Sequence, residues 1–192
     1  MRIGTLASYR AAELGPAIGD AREGESQTEQ FIEQPLDISR PENRSWVLEK
    51  VAPFLFPPGS YNIIADRCLF TLQEADADSF IYCMSHRFSG RAMREFRADA
   101  CVQVDDPRGF IEALVGGLVD RAVVSESIVG PCDYTGRDRN EKMHRISPAF
   151  LKDAGYAYQH ELRIVMKPVK AGPLEPFLIS LPEIRRYCRL RP

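Results

Sequence analysis

The order of the strand-like and helical segments constrains the fold more than any other feature of this chain. Strand-like runs of apolar residues outnumber amphipathic helical segments, and the two kinds do not alternate strictly along the sequence. A doubly wound parallel sheet needs a helix after nearly every strand, whereas a mixed order favours antiparallel sheets with helices packed against them. We therefore predict an α+β fold with mixed or antiparallel sheets of about seven strands and three or four helices.

Runs of β-branched and aromatic residues bounded by turn residues locate the strands. The predicted strands are residues 2–6, 28–38, 61–72, 80–85, 100–104, 122–134, 161–167 and 177–181. The acidic turn EADADS between residues 61–72 and 80–85 indicates a hairpin or neighbouring strands. Predicted helices are residues 7–14, 42–54 and 107–120, the last capped by Asp106, with helical turns at 148–152 and 182–187. The polar residues 18–26 and the charged residues 136–141 read as surface turns.

Length and charge exclude several classes of protein. The chain has 192 residues, which suits a single domain over residues 1–192. Its net charge of −2 gives no global basic field for nucleic acid, although a local patch would still allow such binding. No apolar run approaches the roughly 20 residues of a membrane helix. The amino end lacks the pattern of a signal peptide, so we expect a cytoplasmic protein without a membrane partner.

The cysteines and histidines give no metal motif. The five cysteines are odd in number and lack C-x-x-C spacing, and the three histidines are dispersed. We therefore expect reduced thiols and no metal. Signatures of P-loop enzymes, Rossmann dehydrogenases, zincins and α/β-hydrolases are also missing from the sequence.

Three short segments are candidates for a functional site. In the first, Arg2 opens a strand and Gly4 would let a ligand approach the backbone. In the second, an apolar strand ends at Ser85, whose hydroxyl would position another group. We discount Ser85 and His86 as a catalytic pair, because adjacent strand residues point to opposite faces.

The third segment contains a glutamine and a glutamate two residues apart. Gln159 and Glu161 face the same way if the strand has begun at that point. A carboxylate there would stabilise a cationic transition state, and the amide would hydrogen-bond an acceptor. Tyr156 and Tyr158 precede the pair and offer stacking surfaces to a substrate. The competing interpretation is an ordinary surface glutamate paired with Arg163.

Together the three segments resemble the Arg–Ser–Glu layout of ADP-ribosyltransferases. The resemblance matches Arg2 to the arginine that binds the NAD phosphates, Ser85 to the serine of the middle strand, and Gln159 with Glu161 to the Q-x-E motif. It implies an ADP-ribosyltransferase-like fold, NAD as co-substrate without a metal, and Glu161 and Gln159 as catalytic residues. The middle motif reads Met84-Ser85-His86 in place of the usual Ser-Thr-Ser. The implied NAD-binding residues are Arg2, Gly4, Thr5, Tyr9, Arg10 and Ser85, and Tyr82 is a further candidate for stacking.

The chain also contains a longer pattern, R-x-G-T-L-x-x-Y-R-x-x-E followed by D-x-x-E-G and Q-x-E-x-R. Through this pattern the chain resembles a family of bacterial and phage proteins without an established activity. Some relatives in that family are associated with abortive infection or toxin systems. The combined resemblance implies a toxin or phage-defence effector that modifies a protein or a nucleic acid, with the loop IGDAREGE covering the site.

Three alternatives stay open at this point. The first is an NAD glycohydrolase, in which water replaces the acceptor. The second is a metal nuclease using the carboxylates of Asp20, Glu23, Asp66 and Glu161. The third is a non-catalytic binding module of phage or defence origin. The basic run at residues 185–191 is interpreted as a solvated terminus. The alternative interpretation is that this run contacts an anion.

Overall fold

The chain folds into short helices and mostly antiparallel strands. The computed structural model describes residues 1–10, 19–57, 59–121, 123–136, 138–140, 146–170 and 172–191. The strands are β1 (Arg2–Thr5), β2 (Glu25–Ile32), β3 (Leu36–Asp37), β4 (Ile64–Ala65), β5 (Cys68–Ala75), β6 (Phe80–Ser85), β7 (Cys101–Val104), β8 (Val124–Pro131), β9 (Asp138–Asn140), β10 (Glu161–Pro168), β11 (Phe177–Leu178) and β12 (Cys188–Arg191). The α-helices are α1 (Leu6–Tyr9), α2 (Trp46–Leu55), α3 (Gly90–Glu95) and α4 (Pro107–Val119), and 3₁₀ turns cover Pro41–Asn43, Pro148–Phe150, Ala154–Gln159 and Pro182–Tyr187. The predicted α+β class with mixed, largely antiparallel sheets is confirmed, but the described residues form twelve strands where about seven were predicted.

A five-stranded sheet in the order β11-β1-β6-β10-β8 forms the centre of the described chain. All neighbours in this sheet are antiparallel. A second sheet has the order β5-β2-β9, in which β2 and β9 are parallel. Two-stranded ribbons join β12 to β7 and β3 to β4.

The two faces of the central sheet carry different residues. Ile164 and Met166 of β10 are fully buried in the main core, against which α4 packs Phe110, Leu114 and Leu118. Successive strand residues point to opposite faces, so Glu161 and Arg163 point away from this core. A smaller apolar cluster lies on that opposite face and contains Leu6, Ile81, Ala149 and Phe150. Glu161 and Arg163 therefore lie on the same face of the sheet as the smaller cluster, on the side where β6 ends.

The predicted hairpin between residues 61–72 and 80–85 is wrong. β5 pairs with β2, whereas β6 pairs with β1 and β10 in the central sheet. Asp76 accepts hydrogen bonds from Ser147 Oγ and the Ala149 amide, and Asp78 accepts one from the Ala7 amide. These carboxylates anchor the acidic connection to other parts of the chain, so it passes between two sheets instead of closing a hairpin.

Several predicted boundaries also change. The strand at 28–38 ends at Ile32, because Pro35 lacks the amide hydrogen needed to continue a ladder. The helix at 42–54 begins at Trp46, where the Ser45 hydroxyl accepts a hydrogen bond from the Leu48 amide.

The remaining differences lie near the chain ends and in the turns. The helix predicted at 7–14 spans Leu6–Tyr9 in the described part, and residues 11–14 lie outside it. Residues 138–140 of the predicted charged turn form β9, and the basic terminus forms β12 beside β7. The helix at 107–120 is confirmed, with the Asp106 carboxylate accepting from the Gly109 amide. Among the helices that the structure describes, none has the length and apolar character needed to cross a membrane.

Candidate functional site

The end of β6 and the start of β10 bring the predicted serine and glutamate together. Ser85 lies directly opposite Glu161 in the antiparallel register, and Cys83 lies opposite Arg163. Residues directly opposite each other share one face of a sheet, so all four side chains lie on the face away from α4. The Ser85 hydroxyl donates a hydrogen bond of 2.6 Å to the Gln159 carbonyl. It thereby ties the end of β6 to the turn that precedes β10.

A left-handed residue sets the geometry of the Gln-x-Glu pair. Gln159 ends a 3₁₀ turn, and His160 has φ 46° and ψ 48° before β10 begins at Glu161. Gln159 therefore precedes the strand, so the condition under which the two side chains were predicted to share a strand face is not met. They are instead joined by Lys152, whose Nζ donates to Gln159 Oε1 at 2.7 Å and to Glu161 Oε2 at 2.5 Å.

Four buried charges form the centre of the site. Arg163 Nε donates to Glu161 Oε1 at 2.9 Å, and Arg163 Nη2 donates to Glu23 Oε2 at 3.0 Å. The exposed fractions are 1 % for Glu23, 2 % for Arg163, 4 % for Lys152 and 6 % for Glu161. Two carboxylates and two cations sum to no net charge, which is the condition under which buried ions are tolerated.

The cations keep Glu161 ionised despite its burial. Burial alone would raise the pKa of this carboxyl, but the charges of Arg163 and Lys152, with the hydrogen bond from Arg163, lower the pKa to about 2. The reciprocal effect raises the pKa of Arg163, although its own burial opposes this. Glu161 is therefore a carboxylate at every physiological pH.

A recess of about 230 Å³ opens onto this cluster. Its lining residues are Tyr9, Glu23, Cys83, Met84, Ser85, Phe96, Lys152, Gln159, Glu161 and Arg163. Burial raises the pKa of the Cys83 thiol and of the Tyr9 hydroxyl, so both groups are protonated at neutral pH. The recess thus combines apolar and neutral walls with the four-charge cluster that contains Glu161.

Some predicted NAD-binding residues have structural partners. A Cβ atom at Gly4 would lie 2.6 Å from Tyr9 Cε2, so the absence of a side chain makes room for the tyrosine ring. Thr5 caps α1, its hydroxyl accepting from the Ser8 amide at 3.0 Å. Arg10 Nε donates to the Glu23 carbonyl at 2.7 Å and so holds the loop that carries Glu23. Arg2 is exposed on β1, and its charge partly opposes the effect of burial on the pKa of Tyr9.

The tyrosines predicted to stack on a substrate lie in different environments. Tyr156 donates a hydrogen bond of 3.0 Å to the Gly19 carbonyl. The Arg91 guanidinium lies over the Tyr158 ring, with its central carbon 4.3 Å from the ring centroid. Tyr82 packs against Phe110, with ring centroids 5.8 Å apart, and therefore belongs to the core face, away from the recess.

Two of the alternative interpretations from the sequence can be compared with the structure. The pairing of Glu161 with Arg163 is confirmed, but the pair is buried and does not lie on the surface. Of the four carboxylates proposed for a nuclease, Glu23 and Glu161 line the recess, whereas Asp66 is exposed beside Arg67. Within the described ranges, no group of three or more histidine, cysteine, aspartate or glutamate side chains is placed to hold a metal ion.

Lys152 was not predicted from the sequence, Glu23 was named only as a possible nuclease carboxylate, and Arg163 only as the surface partner of Glu161. Glu23 comes from the polar loop that was predicted to lie on the surface, yet Asp20 and Glu23 of that loop are both buried. A signal for Arg163 was present, since it follows Glu161 by two residues on the same strand face. Lys152 is brought in by the Pro148–Phe150 turn, which no local pattern connects to β10.

Comparison with protein-family models, with curated proteins and with solved structures finds no match.

Proposed function

We propose that this protein is an NAD-dependent enzyme that transfers ADP-ribose to an acceptor through the recess at Glu161. The observation that carries the proposal is an ionised, buried carboxylate facing an apolar recess, directly opposite Ser85 on the neighbouring strand. A fixed negative charge in a site with little water stabilises developing positive charge far better than a solvated one. Loss of nicotinamide from NAD develops such a charge on the ribose.

The strand order supports the Arg–Ser–Glu interpretation. β1, β6 and β10 are adjacent in the central sheet, and they carry Arg2, Ser85 and Glu161. Gly4 pairs with Ile81, so extending that register by two residues sets Arg2 opposite Cys83. The three residues therefore share one face of the sheet, because directly opposite residues of antiparallel strands point the same way. In the proposed reaction Arg2, helped by Arg10, holds the pyrophosphate through its fork of donors.

The proposed reaction breaks one bond and forms one bond at the ribose. The bond between C1′ and the nicotinamide nitrogen breaks, and its electron pair goes to that nitrogen, which loses its positive charge. The positive charge moves to the ribose ring and C1′, facing the Glu161 carboxylate. The acceptor atom then donates an electron pair to C1′ and loses its proton to water. With a pKa of about 2, Glu161 is too weak a base to take that proton and acts by its charge alone.

Lys152 and Arg163 are positioning residues in this scheme. A carboxylate offers about four lone-pair sites, and these two cations occupy one on each oxygen. Arg163 is shared with Glu23, and Lys152 is shared with the Gln159 side chain. Their positive charge is thus divided among other partners. The Cys83 thiol also hydrogen-bonds the carboxylate, which leaves Glu161 about one lone pair for the ribose.

The size of the recess determines how much of NAD it encloses. Sites that enclose drug-sized ligands have volumes of about 300–1,000 Å³. The recess of about 230 Å³ is smaller, so it suits the nicotinamide riboside end of the molecule. We expect the adenosine diphosphate part and the acceptor to lie at the mouth.

Nicotinamide release from NAD tests the proposal. We expect Glu161→Gln, which keeps the shape and removes the charge, to lower the rate about 100-fold or more, as loss of one stabilising group in an active site does. Glu112→Gln on the exposed surface of α4 is the matched control and should match the parent. Urea unfolding of each variant checks that the fold is retained.

Product analysis in the same assay separates the two NAD reactions. ADP-ribose bonded to an acceptor indicates transfer, and free ADP-ribose as the sole product indicates a glycohydrolase. Equal nicotinamide release by the parent and Glu161→Gln, or no NAD consumption by the parent with cell extract as acceptor, would contradict the proposal and favour a binding module.

A further inference from the structure

An arginine-rich segment, residues 87–97, borders the recess. The chain leaves β6 at Ser85 and passes through this segment, which contains α3. Phe96, just after α3, lines the recess together with Glu161. Arg91 of α3 lies over the ring of Tyr158, in the 3₁₀ turn that leads to Gln159. The segment therefore forms part of the mouth through which an acceptor would approach Glu161.

The arginine-rich segment is strongly basic although the protein is acidic. It contains four arginines and one glutamate, a net charge of +3, whereas the whole chain has a net charge of −2. All four arginines (Arg87, Arg91, Arg94 and Arg97) are exposed. Over the residues that the structure describes, Arg91 pairs with Glu95 at 3.9 Å, and the other three arginines have no carboxylate within ion-pair distance. The mouth of the recess thus presents a concentrated positive charge to solvent.

Two aromatic rings are interleaved with these charges. The exposed fraction is 70 % for Phe88 and 42 % for Phe96. Exposed phenyl rings between exposed guanidinium groups offer flat apolar faces beside cations. Proteins that bind single-stranded nucleic acid combine these two features, because cations follow the phosphates while bases stack on aromatic rings. Acidic side chains of a peptide would satisfy the arginines but offer no flat face to the rings, whereas every nucleotide brings both a charge and a flat base.

We infer that the acceptor at this site is a single-stranded nucleic acid, held along the arginine-rich segment with one nucleotide at the mouth of the recess. This inference rests on the proposed function, since it names the acceptor of the same reaction. A duplex keeps its bases stacked and paired, so a base cannot reach C1′ at the mouth of the recess unless it is flipped out. A nitrogen or oxygen of the unstacked nucleotide then bonds to C1′, its proton passes to water, and nicotinamide leaves with the electron pair of the broken bond.

Binding is measured with Glu161→Gln, so that the result does not depend on NAD cleavage. Fluorescence anisotropy of a labelled single-stranded 20-mer, as DNA and as RNA, is followed from 50 to 300 mM salt. A hairpin duplex and a poly-glutamate peptide serve as competitors. The test variant adds Arg87→Gln and Arg94→Gln, and the matched control adds Arg67→Gln and Arg108→Gln, two exposed arginines on other elements.

The expected result is salt-dependent binding of the single strand that the test variant loses and the control keeps. Each phosphate contact contributes a slope of about −0.7 to log K against log salt, so losing two contacts should reduce the slope by about 1.4. Phe88→Ala should weaken binding about fivefold or more, since stacking on one ring has that magnitude. The parent should also release nicotinamide faster when the oligonucleotide is present, and the oligonucleotide should gain the mass of ADP-ribose.

Three results of the binding measurements would overturn the inference. They are equal affinity of the test and control variants, duplex competing as well as single strand, and poly-glutamate competing as well as the oligonucleotide, which would assign the acceptor to an acidic protein. Failure of the proposed function has a different signature, namely intact oligonucleotide binding without any nicotinamide release. Failure of the present inference alone appears as nicotinamide release that no oligonucleotide accelerates.

Discussion

Replacing Arg163 by methionine should be among the most damaging single changes in the described chain. The side chain is 2 % exposed and its guanidinium contacts both Glu23 and Glu161, as well as the Ala149 carbonyl. Methionine has a similar length and no charge, so it fills much of the space. It leaves the Glu23 carboxylate, which is 1 % exposed, without the guanidinium that binds both of its oxygens.

Breaking a buried ion pair by removing one partner costs about 3–5 kcal/mol, because a charge stays buried without compensation. The free energy of unfolding of a whole domain is only about 5–15 kcal/mol. Arg163→Met should therefore remove a large share of the stability. For a chain of this length, about 4 kcal/mol corresponds to a decrease in Tm of roughly 10 °C.

Urea unfolding at pH 7, followed by circular dichroism, measures this change directly. The double variant Glu23→Gln/Arg163→Met should lose less than the sum of the two single variants, by about 1–3 kcal/mol, since the two residues interact directly. Arg108→Met, which breaks the exposed pair with Glu112, is the control and should unfold with the parent. A loss below about 1 kcal/mol for Arg163→Met, or strict additivity in the double variant, would refute the buried charge cluster.

Two further predictions concern the same face of the sheet. The Glu161 carboxyl has a pKa of about 2 in the folded protein against an ordinary 4.5, so its stabilising contribution is complete above about pH 4.5 and is lost as pH falls toward 2. Acid titration of the parent should show a decrease on the order of 3 kcal/mol over that window, which Glu161→Gln should lack; parallel curves would contradict the assigned ion pairs. Gly4→Ala should displace the Tyr9 ring and destabilise the protein by about 1–3 kcal/mol. The control Gly155→Ala, whose new methyl group would have open space around it, should not destabilise the protein. Equal urea midpoints for the two variants would refute the contact between Gly4 and Tyr9.

The sequence predicts elements best where the signal is local. The helix α4 has a proline at its first position and an aspartate cap, and it was predicted with nearly correct ends. The strand predicted at 161–167 is β10, which begins at the predicted residue, Glu161. β6 is an apolar run that ends at the predicted residue, Ser85. In each case the residues that determine the element lie within the element itself.

Pairing between distant strands could not be predicted in the same way. β2 and β5 form a ladder between residues 25–32 and 68–75, and β12 pairs with β7 across most of a hundred residues. Strand patterns show which face is apolar but do not show which strand lies beside it. The acidic turn after β5 resembles a hairpin turn until the distant partners of its carboxylates are known.

The candidate site was predicted in part for a similar reason. Ser85, Gln159 and Glu161 were singled out from short motifs, and the register brings Ser85 opposite Glu161. Lys152 was not predicted and Glu23 was named only as a nuclease carboxylate, because buried charges look like surface charges in a sequence and only the fold shows the partner that compensates each one. Polar residues in a turn-rich loop are expected on the surface, yet Glu23 is buried because it forms an ion pair with the buried Arg163.

Calorimetric titration of Glu161→Gln with NAD is the decisive measurement for the proposed NAD site, since it separates binding from cleavage. We predict that this variant binds NAD at micromolar to millimolar concentrations and leaves it intact, whereas the parent binds NAD and releases nicotinamide. Absence of binding of NAD, nicotinamide and ADP-ribose by both proteins, with both correctly folded, would contradict the claim that the recess at Glu161 is an NAD site.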